Sequence, residues 1–166
     1  MRRMFIALLL LGTLLSADVV KFSTEIALTG RPMMYIFDSA TCPYCDKLKK
    51  ELNTVPELHA LAEGFDIYRI PRDDHRIYNI LGKDVSTQEL QLSYHVKATP
   101  NVVIFNKHAK RMFQTAGYIG PVALAKMMMF VQGVDAGKYK TSEWAQFLYD
   151  SKITTSEKAR PKTLAH

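Results

Sequence analysis

Met33-Met34-Tyr35-Ile36-Phe37-Asp38-Ser39-Ala40-Thr41-Cys42-Pro43-Tyr44-Cys45 decides how this 166-residue chain is read. Met33 to Phe37 is an unbroken apolar run between Pro32 and Asp38, the pattern of a strand buried on both faces. Ser39-Ala40-Thr41 ends it. From Pro43 the sequence turns helical, with Leu48 and Leu52 four apart and Lys47, Lys49, Lys50 and Glu51 outside. Proline suits a first helical turn, where its missing N–H costs nothing. The two cysteines therefore stand at a strand-to-helix junction, with Cys42 at the helix N-terminus.

These are the only cysteines in the chain. A four-residue ring closes almost no loop entropy, so stapling gains little from them. Nor is there a second C-x-x-C or a paired Cys/His to complete four zinc ligands. The reading left is redox chemistry, two thiols that share a disulfide and exchange it with a partner. A thiolate performs that attack, and a helix N-terminus stabilises the anion through unpaired N–H groups. Such a site lowers a cysteine pKa from ~8.5 into roughly the 3.5–7.5 range. Cys42 is accordingly the candidate nucleophile and Cys45, inside the first turn, the candidate resolving thiol.

Outward from this segment, the N-terminus carries Arg2-Arg3, an apolar stretch from Met4 to Leu15, and Ser16-Ala17-Asp18. That is the layout of a secretory signal over 1–17, too short to span a bilayer. Leu15 departs from the small residue expected three before the cleavage point, and an uncleaved anchor is the alternative. In either form the domain is expected in the periplasm or otherwise exported, where disulfides persist. Cleavage leaves 149 residues and lowers the formal charge from +6 to +4. One domain over 18–150 is expected, with 151–166 as a disordered tail. The basic excess lies partly in that tail, and no interleaving of aromatics with Arg/Lys suggests nucleic acid.

Asp18 to Thr29 reads as a short helix ended by Gly30-Arg31-Pro32. Pro56 opens another helix carrying Leu58 and Leu61, and Phe65 to Ile70 alternates like a strand. Pro71 to Val85 reads as a polar connector. Ser86-Thr87-Gln88-Glu89 is a capping box that starts a helix reaching about His95. Val102 to Phe105 and Arg111 to Gln114 read as a hairpin around Asn106–Ala109. Pro121 starts a helix with Leu124, Met127, Met128 and Val131 inward, and Trp144, Phe147 and Leu148 give the face of one more. Strands alternating with helices, then a hairpin, predict an α/β domain with a mixed sheet.

Read together, Thr29-Gly30-Arg31-Pro32, Phe37 to Cys45, Val85 to Leu90, Val96-Lys97-Ala98-Thr99-Pro100 and Gly117-Tyr118 make the chain resemble the thioredoxin superfamily. The likeness runs over about residues 19–149 and is nearest to SoxW-type periplasmic thioredoxins. It implies a thioredoxin fold, a central mixed sheet of about four strands flanked by helices, with a short C-terminal helical extension. It also implies a cis Pro100 facing the disulfide, with Thr99 and Pro100 binding substrate, and thiol–disulfide exchange with protein substrates. A membrane redox partner would recycle the pair, and no cofactor beyond the Cys42–Cys45 disulfide is implied.

Two departures bear on the chemistry. Ordinary thioredoxins carry a buried aspartate six residues before the first cysteine, where this chain has Ile36. Asp38, on the same face by alternation, is the candidate proton acceptor, with a solvated loop carboxylate as the alternative. The dipeptide between the cysteines is Pro43-Tyr44 rather than Gly-Pro, which goes with a more oxidising couple, so both residues are read as redox-tuning.

The five histidines form no ligand spacing, so no metal is expected. Met127-Met128-Met129 reads as core filling rather than a copper stripe. The Asp73-Asp74-His75 cluster reads as a solvated connector, and Tyr118 as an anchor for the last helix. The leading function is an exported oxidoreductase leaning to reduction. A periplasmic disulfide-forming oxidase, a glutathione-dependent enzyme of the glutaredoxin kind, and a binding module whose thiols hold copper(I) are the rivals.

Overall fold

The computed structural model describes residues 18–158. Eight strands and five helices run β1 (Val20–Lys21), β2 (Glu25–Ile26), β3 (Met33–Asp38), α1 (Pro43–Thr54), α2 (Pro56–Ala62), β4 (Asp66–Pro71), β5 (Ile77–Ile80), β6 (Lys83–Ser86), α3 (Thr87–Ser93), β7 (Asn101–Phe105), β8 (Arg111–Ala116), α4 (Pro121–Asp135) and α5 (Trp144–Lys158). The main sheet is ordered β1-β4-β3-β7-β8. Its β1, β4 and β3 are parallel, and β3, β7 and β8 are antiparallel. This is the thioredoxin fold, a mixed sheet flanked by helices.

β3 is the middle strand and is buried along its whole length, as an apolar run without alternation requires. Met34 and Ile36 pack with Leu48 and Leu52 of α1, Leu58 of α2 and Leu124, Met128 and Val131 of α4. Met33, Tyr35 and Phe37 face the other way, into Tyr68, Tyr78, Leu90 of α3, Val96 and Phe105. Two apolar layers thus clamp the strand that delivers the chain to Cys42. Ser86 caps α3 by accepting from Glu89 N at 3.2 Å while its own N–H donates to Glu89 Oε2 at 2.7 Å, the reciprocal box its sequence spells.

Four expectations are corrected. Asp18–Thr29 is not a helix. It holds β1, which adds a fifth strand to the main sheet, and β2, in a second sheet ordered β2-β5-β6. Lys21 Nζ donates to Asp66 Oδ1 at 2.8 Å and Thr29 Oγ1 donates to Asp66 Oδ2, which fastens this strap to the start of β4. The Pro71–Val85 connector contains the β5–β6 hairpin. Met129 is about half exposed while Met128 is buried, so the methionine run fills the core only in part. Helix α5 passes the boundary drawn at 150 and reaches Lys158. It packs through Trp144 and Phe147 on Phe130 of α4, with ring centroids 5.1 and 5.4 Å away. The signal read over 1–17 and the last part of the tail, 159–166, lie outside the described residues.

Candidate functional site

At the carboxyl end of β3, Cys42 becomes the N-cap of α1 and Pro43 its first residue. Cys42 and Cys45 form a disulfide with Cα atoms 5.2 Å apart. The backbone N–H of Cys45 points at Cys42 Sγ, 3.2 Å away, and the N–H groups of Cys45 and Asp46 reach Cys42 O at 3.0 and 3.3 Å. Cys42 Sγ thus takes the place of the oxygen that caps most helices, and a negative charge formed there meets both the N–H and the helix dipole. Cys42 retains 7% of its surface and Cys45 none, so within the pair only Cys42 offers a surface to another molecule.

Asp38 corrects the loop-carboxylate alternative: it is completely buried. Alternation places it on the Met34–Ile36 face of β3, under α1. Oδ2 accepts from Arg69 Nε of β4 at 2.5 Å and from Lys49 Nζ at 3.1 Å. Lys49 follows Cys45 by one helical turn, so the carboxylate is held by the stretch of α1 that carries Cys45. Oδ1 is buried with no hydrogen-bond partner among the described residues.

The Thr99–Pro100 bond is cis. Thr99 Oγ1 lies 3.2 Å from Ser39 Oγ, which ties this loop to the segment just before Cys42. Two longer contacts close the same side, Ala40 N to Asp73 Oδ2 at 3.4 Å and Arg72 Nη1 to Lys97 O at 3.4 Å. Asp73 is exposed, as the solvated reading expects, and also touches the rim of the site. Asp74 pairs with Arg76 at 2.5 Å.

Tyr118 packs against the core layer that includes Leu124, Met128 and Val131 of α4, and it is also fastened to α1. Its hydroxyl donates to Glu51 of α1, 2.8 and 2.7 Å from the two carboxylate oxygens, and Lys47 Nζ lies 4.5 Å from its ring centroid. The Tyr44 and Tyr118 ring centroids are 5.6 Å apart. Hydrogen bonding to Glu51, foremost, pushes the Tyr118 hydroxyl above the ordinary tyrosine pKa, so it stays protonated and donating at neutral pH. Sequence reasoning missed Glu51, which lies 67 positions from Tyr118 with no local signal joining them.

Among the described residues no three His, Cys, Asp or Glu side chains gather as metal ligands. What the arrangement provides is a disulfide in which Cys42 keeps a little exposed surface and Cys45 none, a buried carboxylate held by Lys49 of the same helix, and a rim that includes the Thr99–Pro100 loop.

A model of the thioredoxin-like domain family matches residues 23–132. Among solved structures, a thioredoxin-fold protein from Helicobacter pylori superposes with a TM-score of 0.70 at 22% identity, covering 82% of this chain and 94% of that one. Thioredoxin O2 from Arabidopsis thaliana in its oxidized state gives a TM-score of 0.50 at 14% identity, covering 68% and 94%. At these identities the likeness is one of fold. No curated protein sequence matches the chain.

Proposed function

The chain belongs to the thioredoxin-like domain family, and from that we propose that it is a thiol–disulfide oxidoreductase acting on protein disulfides outside the cytoplasm, in the direction of reduction. One observation carries the reading: Cys42 Sγ occupies the cap of α1, receives the Cys45 N–H, and belongs to the less buried of the two cysteines. In the reduced protein the Cys42 thiolate attacks one sulfur of a substrate disulfide. A Cys42–substrate disulfide forms, and the first substrate thiolate departs and takes a proton. Cys45, deprotonated, then attacks Cys42 Sγ and expels the second substrate thiol. Two electrons have passed to the substrate, and the Cys42–Cys45 disulfide is left for an external dithiol, held by a membrane partner, to reduce again.

Asp38 takes the Cys45 proton in this scheme. Arg69 and Lys49 hold Oδ2, which leaves Oδ1 for the transfer. Thr99 and the cis Pro100 present the backbone edge along which a substrate strand lies. Export rests on the signal-like residues 1–17, and the SoxW-type assignment on the motifs around the cysteines and Pro100.

The test is insulin reduction by the dithiol-charged protein. Cys42→Ser abolishes it, and Cys45→Ser accumulates a stable mixed disulfide with insulin. If iodoacetamide at mildly acidic pH labels Cys45 before Cys42, the two roles are reversed.

A further inference from the structure

Tyr44, Lys47 and Glu51 follow one another at i, i+3 and i+7, so they form one stripe of α1, adjacent to the buried stripe of Cys45, Leu48 and Leu52. Tyr118 lies along that stripe and meets all three residues. Glu51 holds its hydroxyl, Lys47 lies over its ring and Tyr44 packs against it. Its backbone is fixed too. Gly117 N donates to Pro100 O at 2.8 Å, and Gly117 has φ +87°, a conformation in which a side chain is strained. Tyr118 is therefore immobilised between the cis-proline loop and the cysteine helix, and it sits behind the Tyr44 ring as a backstop.

Tyr44 is in the opposite condition. It lies between the two cysteines and remains 60% exposed, although one side of its ring is packed on Tyr118. A large apolar surface is thus held open to water beside the sulfur that must meet the substrate. The charges nearby are already engaged: Lys47 with Glu51 at 4.0 Å, and Asp46 with Lys49 at 3.0 Å. A charged side chain arriving on this ring would find the neighbouring α1 charges already paired, whereas an apolar or aromatic one would gain ring contact.

We propose that Tyr44 is a specificity-determining residue, with Tyr118 as its positioning residue, and that the ledge they form takes an aromatic or large apolar side chain flanking the target cysteine of a protein substrate. The proposal rests on the oxidoreductase reading for its reaction, but the ledge itself is a binding surface and can be read without turnover.

Two disulfide peptides, identical except for Phe or Gly beside the target cysteine, serve as probes. The wild-type protein is expected to favour the Phe peptide in kcat/KM by about three- to tenfold, the size of one ring contact, with the difference in KM. Tyr118→Ala, which leaves Tyr44 in place without its backstop, brings the ratio to about one. Tyr118→Phe, which keeps the ring, retains most of it. A purely structural role for Tyr118 would slow both peptides alike and leave the ratio intact, which overturns the proposal, as does an absence of preference in the wild type. In parallel, Ser-for-Cys versions of both peptides are titrated against the protein while the Tyr44 and Tyr118 ring resonances are followed by NMR. Preferential binding of the Phe peptide without reduction of its disulfide form sustains the ledge and sinks the redox reading. Reduction of both peptides at equal rates and affinities does the reverse.

Discussion

Asp38 and Arg69 meet at 2.5 Å across neighbouring parallel strands, an anion with no exposed surface against a cation whose side chain is 37% exposed. Lys49, the second cation on that carboxylate, is 24% exposed. Both cations therefore reach water and Asp38 does not. Removing one member of a fully buried pair costs about 3–5 kcal/mol because the other charge is stranded. Here the stranded charges are partly hydrated, so Asp38→Asn should cost less, about 1–2 kcal/mol in urea unfolding. The larger effect is expected in the chemistry. Resolution of the mixed disulfide should slow at least about tenfold, toward the range a positioned general base supplies, and the substrate adduct should accumulate on non-reducing gels. Release at the wild-type rate would show that the Cys45 proton goes elsewhere.

Asp66 is the second buried carboxylate, and it predicts an acid limit. Burial raises its pKa, but hydrogen bonds from Lys21 and Thr29 and the charges of Lys21 and Arg31 outweigh burial and hold it below the ordinary 3.8. A carboxyl depressed in the folded state binds its proton more readily when unfolded. Its contribution is complete above that ordinary value and is lost as pH falls through the lower, folded one. Stability of the wild type should thus fall as the pH drops below about 4, and Asp66→Asn should be less stable at pH 7 with a flatter acid slope. Denaturant titrations at a series of pH values measure both. An unchanged slope in the variant would assign the acid loss to other carboxyls.

The strap that Asp66 holds also shows where sequence and structure part. The cysteine junction was legible because its signals are local: an apolar run, a breaker, then proline at the first helical position. The same holds for the capping box at Ser86. β1 and β2 have two residues each, too few for any period to register, and exist because β4 and β5 offer free edges. The β5–β6 hairpin was hidden by its turn. Leu81 and Gly82 both have positive φ, 54° and 81°, and a leucine in that region is not a turn signal that sequence reading looks for. Asp38 was placed on the correct face by alternation. Its burial depends on Arg69 and Lys49 arriving from two other elements, which no local pattern encodes.

Tyr78 carries a different prediction. Its ring is fully buried and its hydroxyl has no hydrogen-bond partner among the described residues. Burial, followed by the charge of Asp74, pushes its pKa up to about 12. A buried donor without a partner loses its hydration and gains nothing in return, so deleting it is neutral or favourable. Tyr78→Phe should leave the protein as stable as the wild type or up to about 1 kcal/mol more so. A loss exceeding that figure in urea unfolding would mean that the hydroxyl is bonded in solution.

The reduction potential of the Cys42–Cys45 pair tests the direction of exchange. Two features of the sequence stabilise a Cys42 thiolate, the helix N-terminus and the lysines of α1. The structure ranks them. Lys49 is engaged with Asp38 and Asp46 at 3.1 and 3.0 Å, and Lys47 lies 4.0 Å from Glu51, so their charges are largely balanced where they stand. The cap position, with the Cys45 N–H at 3.2 Å from Sγ, carries the effect. A stabilised thiolate stabilises the dithiol form and so raises the potential, in the same direction as the Pro43-Tyr44 dipeptide. The expected value lies above the ~ −270 mV of thioredoxin and below the ~ −120 mV of the strongest periplasmic oxidant. Equilibration in glutathione buffers, followed by trapping of the free thiols and a gel shift, measures it. Neutralising Lys47 by Lys47→Gln should move the value by only a few millivolts, because Glu51 and the Tyr118 ring already compensate that charge. A potential near the oxidant limit would make the protein a disulfide donor and reverse the proposed direction. One at or below that of thioredoxin would show that the surroundings of Cys45, Asp38 foremost, outweigh the cap and the dipeptide.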